Sequence, residues 1–150
     1  MSNTWTVFVY GTLRKGGALE GLLPDIESRR VAVLDGFTMF EYGHGAYPII
    51  VETPGSVVPI VGDLLVTSDA ESLAAVAEME CRAGYEMRWL DVRTIDDHEM
   101  HRAIVFVWPE CDSDFIGRHV QSGDWATHEQ MLTAPLVVGA GSVVVFGDES

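Results

Sequence analysis

The residue best suited to chemistry in this sequence is a glutamate in an inhospitable place. Ser68 to Gly84 carries the clearest helical pattern of the chain, and at 3.6 residues per turn Leu73, Val76, Ala77 and Glu80 fall at i, i+3, i+4 and i+7. These four form the apolar stripe. Glu71 and Glu78 fall on the other side, where water solvates them. Glu80 alone turns toward the core. Desolvation penalises the charged form, so a carboxyl there rises above its usual value of about 4.3. Such a group can take and return a proton near neutrality, which is the work of a general acid and base. Glu80 is therefore the candidate catalytic residue. The blander alternative is a frayed helix end, with the side chain bent to water or paired with Arg82 or Arg88.

A second candidate follows the first apolar run, at Tyr10-Gly11-Thr12-Leu13. A glycine and a hydroxyl residue directly after a strand can present successive backbone N–H groups, and such a nest attracts a carboxylate. Arg14 and Lys15 would add a local positive field. The segment is not a nucleotide loop, because neither the Walker spacing nor the three-glycine fingerprint is present.

The elements that must position these residues are mostly strands. Trp5 to Tyr10 reads as a strand running into a turn, and Ala18-Leu19 starts a weak helical patch stopped by Pro24. Val31 to Tyr42 reads as one strand with a bend at Gly36; Tyr47 to Glu52 and Val57 to Val66 follow. Ser68 with Glu71 fits a capping box for the helix, and Gly84 fits a left-handed C-cap. Tyr85 to Ile95 and Ala103 to Trp108 read as a hairpin around the tip Asp96-Asp97-His98-Glu99. Ser113 to Gln121 reads as a second helix, with Phe115, Ile116, His119 and Val120 at helical spacing. Leu136 to Phe146 is strand-like, broken at Gly139 and Gly141. The expected fold class is α+β: one domain over residues 1–150, a small mixed barrel-like sheet and a few short helices.

Composition narrows the function. The chain has 150 residues and is 47 % hydrophobic, enough for one real core. With 23 acids against 9 bases its formal charge is −14, which argues against nucleic acid and acidic membrane surfaces as partners. An anionic substrate would need a site that is positive locally. Cys81 and Cys111 are too few for a disulfide framework, and a reduced pair fits a cytoplasmic protein. The start lacks a basic segment followed by a long apolar one, and no stretch is long enough to span a bilayer.

Other signals are weaker. His98 and His101 flank a charged tip at a spacing that suits no usual zinc site, so no metal is expected. His119 reads as half-buried on the second helix. Cys81 has no evident histidine partner, and no Gly-x-Ser-x-Gly elbow appears.

Four segments in order resemble the γ-glutamyl cyclotransferase-like superfamily, which includes γ-glutamylamine cyclotransferases and the avirulence-induced-gene-like proteins. They are Val9-Tyr10-Gly11-Thr12-Leu13; Leu34-Asp35-Gly36-Phe37 with Tyr47-Pro48; Val61-Gly62-Asp63-Leu64-Leu65; and Glu80 with Gly84-Tyr85 and Arg88. The resemblance runs from Val7 to about Trp108. Three positions depart from the family pattern: Ala77 where an Asp often precedes the glutamate, Cys81 where a Gly follows it, and Met87 where many relatives carry Arg.

The resemblance implies a cofactor-free enzyme acting on a small γ-glutamyl compound. The substrate's own α-amine attacks its γ-carbonyl, expelling an amine and leaving 5-oxoproline. Glu80 would be the acid/base, the loop Tyr10, Gly11, Thr12 and Leu13 would hold the α-carboxylate, and Tyr10 and Tyr85 would be pocket walls and hydroxyl donors. Ala77, Cys81 and Met87 border the expected pocket and leave the departing amine open. Two alternatives stand beside this reading: a binding module that kept the fold without turnover, and an amide hydrolase that releases glutamate. Trp108, Trp125 and the Leu136 to Phe146 strand would either cover the barrel or form a homodimer interface.

Overall fold

In the computed structural model, residues 3–11, 13–14, 20–42, 47–109, 116–128, 137–139 and 142–144 are described. Strands β1 (Trp5–Val9), β2 (Ser28–Leu34), β5 (Ile60–Thr67), β6 (Glu86–Thr94) and β7 (Met100–Val107) close a barrel in the order β1-β5-β2-β6-β7. Four of its pairings are antiparallel, and the parallel contact of β7 with β1 at Val7 and Ile104 completes the circle. Closure removes the open edges that would otherwise template aggregation. A second sheet joins β4 (Pro48–Glu52), β3 (Phe37–Tyr42) and β8 (Ile116–His119), and β9 (Val137–Gly139) pairs with β10 (Ser142–Val144). The helix α1 spans Ala70–Ala83. The α+β class and the small barrel are as the sequence predicts.

Alternation along the strands sorts the core in two. Phe8, Ala32, Leu34, Ile60, Leu64, Val92, Ala103 and Val105 come from all five barrel strands and form one cluster, which Trp125 and Val120 join. Their strand neighbours Val7, Val9, Leu65, Ile104 and Phe106 form the other, against Leu73 and Val76 of α1. The helix therefore covers one outer side of the barrel. Trp125 caps the inner cluster, 1 % exposed, whereas Trp108 is half-buried beside the outer one.

Several boundaries differ from the sequence expectation. The Val31 to Tyr42 run is two strands in two sheets, because Gly36 takes a left-handed φ of 84° and turns the chain. Asp69, not Ser68, caps α1: its carboxylate accepts the Ser72 N–H at 3.0 Å, while the Thr67 hydroxyl accepts the Asp69 N–H. An N-cap of this kind stabilises a helix by about 1 kcal/mol. The fifth strand begins at Ile60 rather than Val57. The expected second helix is replaced by β8, whose Phe40–His119 and Tyr42–Ile116 pairings hold it extended; residues 113–115 lie outside the described set. The Ala18-Leu19 patch also lies outside it, and Glu20–Leu22 forms a short 3-10 turn. Among the described residues, no helix is long and apolar enough to cross a membrane.

Candidate active site

Helix α1 places Glu80 one turn before its C-terminus. Leu73 and Val76 are buried, Ala77 and Glu80 are half-buried, and Glu71 and Glu78 are exposed, which is the phasing read from the sequence. Gly84 ends the helix in the left-handed conformation at φ 112°, and the Tyr85 N–H returns to the Glu80 carbonyl at 3.0 Å. Gly84 also has no room for a side chain, since a Cβ would lie 2.7 Å from the Trp108 ring. The Trp108 backbone is held by its own amide N–H, which donates to the Ile50 carbonyl at 2.8 Å.

The first loop reaches the same place through a proline. A Cβ on Gly11 would lie 2.9 Å from Pro48 Cγ, so glycine lets the loop and the Tyr47-Pro48 turn touch. The Pro48 carbonyl accepts the Tyr85 hydroxyl at 2.5 Å, and the Phe106 carbonyl accepts the Tyr10 hydroxyl at 2.5 Å. Gly11, Pro48, Tyr85 and Glu80 thus form one chain of contacts. Tyr10, Tyr47 and Tyr85 all lie within electrostatic reach of the Glu80 carboxylate. Burial raises all three phenols above their ordinary value; for Tyr85 the Glu80 charge comes next, and for Tyr10 and Tyr47 a neighbouring phenol precedes it.

Burial pushes Glu80 itself up to about 6 from an ordinary value of 4.5. The two arginines that could have neutralised it are engaged elsewhere: Arg82 with Glu78 at 2.5 Å and Arg88 with Glu52 at 3.2 Å. No hydrogen bond or ion pair to the Glu80 carboxylate occurs among the described residues. A proton acceptor that is mostly ionised at pH 7, and still weakly basic, is the result.

Some expectations need correction. Leu13 is 6 % exposed and packs in the outer cluster with Val76 and Tyr85, so its side chain supports the loop from behind. Thr12 and Lys15 lie outside the described residues. Arg14 supplies no free positive charge, because it pairs with Asp124 at 2.7 Å and Asp63 at 3.5 Å. Tyr10 and Tyr85 spend their hydroxyl hydrogens on backbone carbonyls, so toward a ligand they offer oxygen lone pairs. They are acceptors rather than donors. His119 is exposed on a strand instead of half-buried on a helix. Of the three departures, Ala77 packs beside the outer cluster, while Cys81 and Met87 are exposed. Cys111 lies outside the described residues.

Sequence reasoning named Tyr85 as a pocket wall but missed the rings gathered around it. Tyr42 and Tyr47 stack at 5.0 Å, Trp108 lies 5.0 Å from Tyr42, and Tyr85 meets Trp108 edge-on at 5.5 Å. The signal was four rings in three separated segments, which only the fold assembles. A second surprise is Asp97, Glu99 and His101, which bring one donor atom each within 4.8 Å of one another. Asp97 already accepts from Thr94 and Arg30, which hold its carboxyl well below the usual range. Those contacts explain the cluster as a braced hairpin tip.

A closed mixed barrel with an unneutralised carboxylate at a tyrosine-lined helix end defines a class of small α+β proteins. The chain belongs to the γ-glutamyl cyclotransferase, AIG2-like family, whose model matches residues 7–127. Among solved structures it is similar to an uncharacterized protein from Pyrococcus horikoshii, at 22 % identity over 83 % of this chain and 92 % of that one, with a TM-score of 0.59. An AIG2-like protein from Mus musculus gives 17 % identity over 78 % and 86 %, with a TM-score of 0.66. A structure described as a γ-glutamyl cyclotransferase gives 18 % over 76 % and 70 %, with a TM-score of 0.59. At these identities the likeness shows the fold. No curated protein matches the chain significantly.

Proposed function

We propose that the protein cyclises a γ-glutamyl amide, releasing 5-oxoproline and an amine, with Glu80 as the acid/base. The observation that carries this reading is the raised, unneutralised Glu80 carboxyl facing tyrosine oxygens that can accept hydrogen bonds. That set suits the substrate's α-ammonium, which has an ordinary pKa of about 7.7–8.0 and must lose a proton before it can attack. Transfer to a group at about 6 is uphill by roughly 2 units, or about 2.5 kcal/mol, a small part of an amide-cleavage barrier.

Glu80 takes one proton, and the freed amine attacks the γ-carbonyl carbon to close a five-membered ring. The C–N bond to the departing amine breaks as its nitrogen receives the proton from Glu80. The ring nitrogen gives up its second proton and the departing amine leaves as an ammonium, so charge balances and the carboxylate is regenerated. Both reacting groups belong to one molecule, and holding them in the ring-closing shape can be worth an effective molarity of about 10⁵–10⁸ M. Backbone amides around Gly11 are the groups we assign to the α-carboxylate, since Arg14 is already paired. The step needs no cofactor or metal; the compartment we assign is the cytoplasm.

The test is to incubate the protein with a panel of γ-glutamyl amines and peptides and identify the product. 5-Oxoproline supports cyclisation, free glutamate assigns hydrolysis, and binding without product assigns a binding module.

A further inference from the structure

Exposed apolar side chains gather on one side of the barrel. Seven large hydrophobics are exposed among the described residues, and five of them lie in or directly after the adjacent strands β2, β6 and β7. These are Val31, Met87, Trp89, Ile95 and Met100, each 45–58 % exposed. The register joins them: Arg93 pairs with Val33 on one side and Met100 on the other, and the Ile95 N–H donates to the Val31 carbonyl at 3.1 Å. Ala32, Val92 and Ala103 fill the inner cluster, so alternation along the three strands turns these five residues outward.

The composition of this face is that of a contact surface. A protein that stays monomeric seldom leaves a contiguous apolar patch of more than a few hundred Å² in water. Tryptophan, methionine and arginine are enriched where proteins meet, and glutamate is depleted there. Met87, Trp89, Arg93, Met100 and Arg102 all point outward here, and the outward positions of β6 and β7 hold no glutamate.

Charge identifies the partner. Asp91, Arg93 and Arg102 give the face one acid against two bases, on a chain of formal charge −14. A second copy of the chain is therefore repelled least when it approaches this face. The ion pairs here, Arg102 with Asp91 and Arg93 with Asp35, are both 3.6 Å long and open to solvent. Such pairs hold their partners weakly, so each arm can exchange for its equivalent across a twofold axis.

We propose that two copies of the chain associate symmetrically through the outer face of β2, β6 and β7, with Trp89 and the flanking methionines as the buried centre. This goes beyond the cyclotransferase reading and holds whether or not a γ-glutamyl compound is turned over. Trp125, one of the residues expected to cover the barrel or form a homodimer interface, is committed to the inner cluster; Trp89 takes the interface role. From Met87 to Ile95 the face runs about 27 Å, and three strands make it about 15 Å wide. That projected area of about 400 Å² is below the roughly 800 Å² per partner of a tight complex, so the pair is weak and reversible.

Sedimentation velocity over about 2–200 µM protein tests the proposal, with dimer and monomer expected in equal measure at tens of micromolar. Raising NaCl from about 0.1 to 0.5 M screens the repulsion between two acidic chains and should tighten association about threefold or more. Trp89→Lys and Met100→Glu should each weaken it about tenfold or more, whereas Val57→Glu, at an exposed residue off this face, should leave it unchanged. Peroxide oxidation of Met87 and Met100 in the unmodified protein should slow about twofold or more at the highest concentration, a readout that needs no variant to fold. A protein still monomeric at the highest concentration overturns the proposal. So does a dimer that salt loosens or that both substitutions leave intact, and so does oxidation of the two methionines at an unchanged rate.

Discussion

Among the described residues, Asp63 and Glu41 are buried acids and Glu80 is a half-buried one, and the protein treats them in two ways. Asp63, in β5, is 5 % exposed and is met by Arg29 at 2.9 Å and Arg14 at 3.5 Å. Glu41, in β3, is equally buried and receives His128 at 2.6 Å with Arg118 at 3.8 Å. Glu80 is less buried than either, yet it is surrounded by tyrosines and has no cationic partner among the described residues. The first two lose hydration and gain charge-assisted hydrogen bonds in return. Glu80 loses hydration and gains nothing, and its carboxyl rises to about 6. Paired acids hold segments together: Asp63 ties the first loop to β2, and Glu41 ties the helical turn over residues 125–128 to the second sheet. An acid left without a partner, at a helix end fixed by Gly84 and Tyr85, is available to exchange protons.

Removing each carboxylate separates these roles. The largest effect is expected on turnover in Glu80→Gln, which keeps shape and loses the ability to accept a proton: 5-oxoproline release should fall by about 10²–10⁴-fold. Retention of turnover within tenfold would sink the acid/base assignment. Asp63→Asn should do the opposite, unfolding more easily because Arg14 and Arg29 lose their shared counter-charge. Urea denaturation should give a loss of about 2–4 kcal/mol, less than for a fully buried pair because both arginines are partly solvated. A loss under 1 kcal/mol would remove the contrast between the two kinds of acid.

The smallest effect concerns stability at Glu80 itself. A carboxyl whose folded pKa is raised favours the native state below its unfolded value of about 4.5, and that advantage is lost as pH rises through 6. The full shift corresponds to about 2 kcal/mol, and solvent screening at this half-exposed position reduces it to about 1. Glu80→Gln should therefore be more stable than the unmodified protein by about 1 kcal/mol at pH 7.5, with the difference vanishing at pH 4. A variant less stable at pH 7.5 would show that Glu80 is a structural acid after all.

Much of this was legible in the sequence where it depended on neighbours close in the chain. Helix phasing exposed Glu80, and Gly84 announced the cap that returns Tyr85 to it. The strand content and the family segments led to the barrel. What escaped depended on partners far away. The Ser113 to Gln121 pattern has apolar residues at helical spacing, but pairing of Ile116 and His119 with Tyr42 and Phe40 holds Ile116–His119 extended. Arg14 read as a free cation because Asp63 and Asp124, its partners, lie about 50 and 110 residues on. Tyr42 drew no reading, Tyr47 entered only through the Tyr47-Pro48 resemblance, and Trp108 read as a barrel cover or interface residue, until β3, its turn and the end of β7 brought them together. The capping residue moved by one because Thr67 and Asp69 bracket Ser68 with their own side-chain bonds. Even the tyrosine hydroxyls were assigned the wrong role, since only the fold shows which carbonyls they satisfy.

The central claim is that an unpartnered Glu80 is the base, and the pH dependence of kcat/KM for 5-oxoproline release tests it most directly. In the free enzyme an essential base ionising at about 6 makes kcat/KM rise tenfold per unit below pH 6 and level off above it. An activity that stays flat from pH 5 to pH 7 would contradict the account.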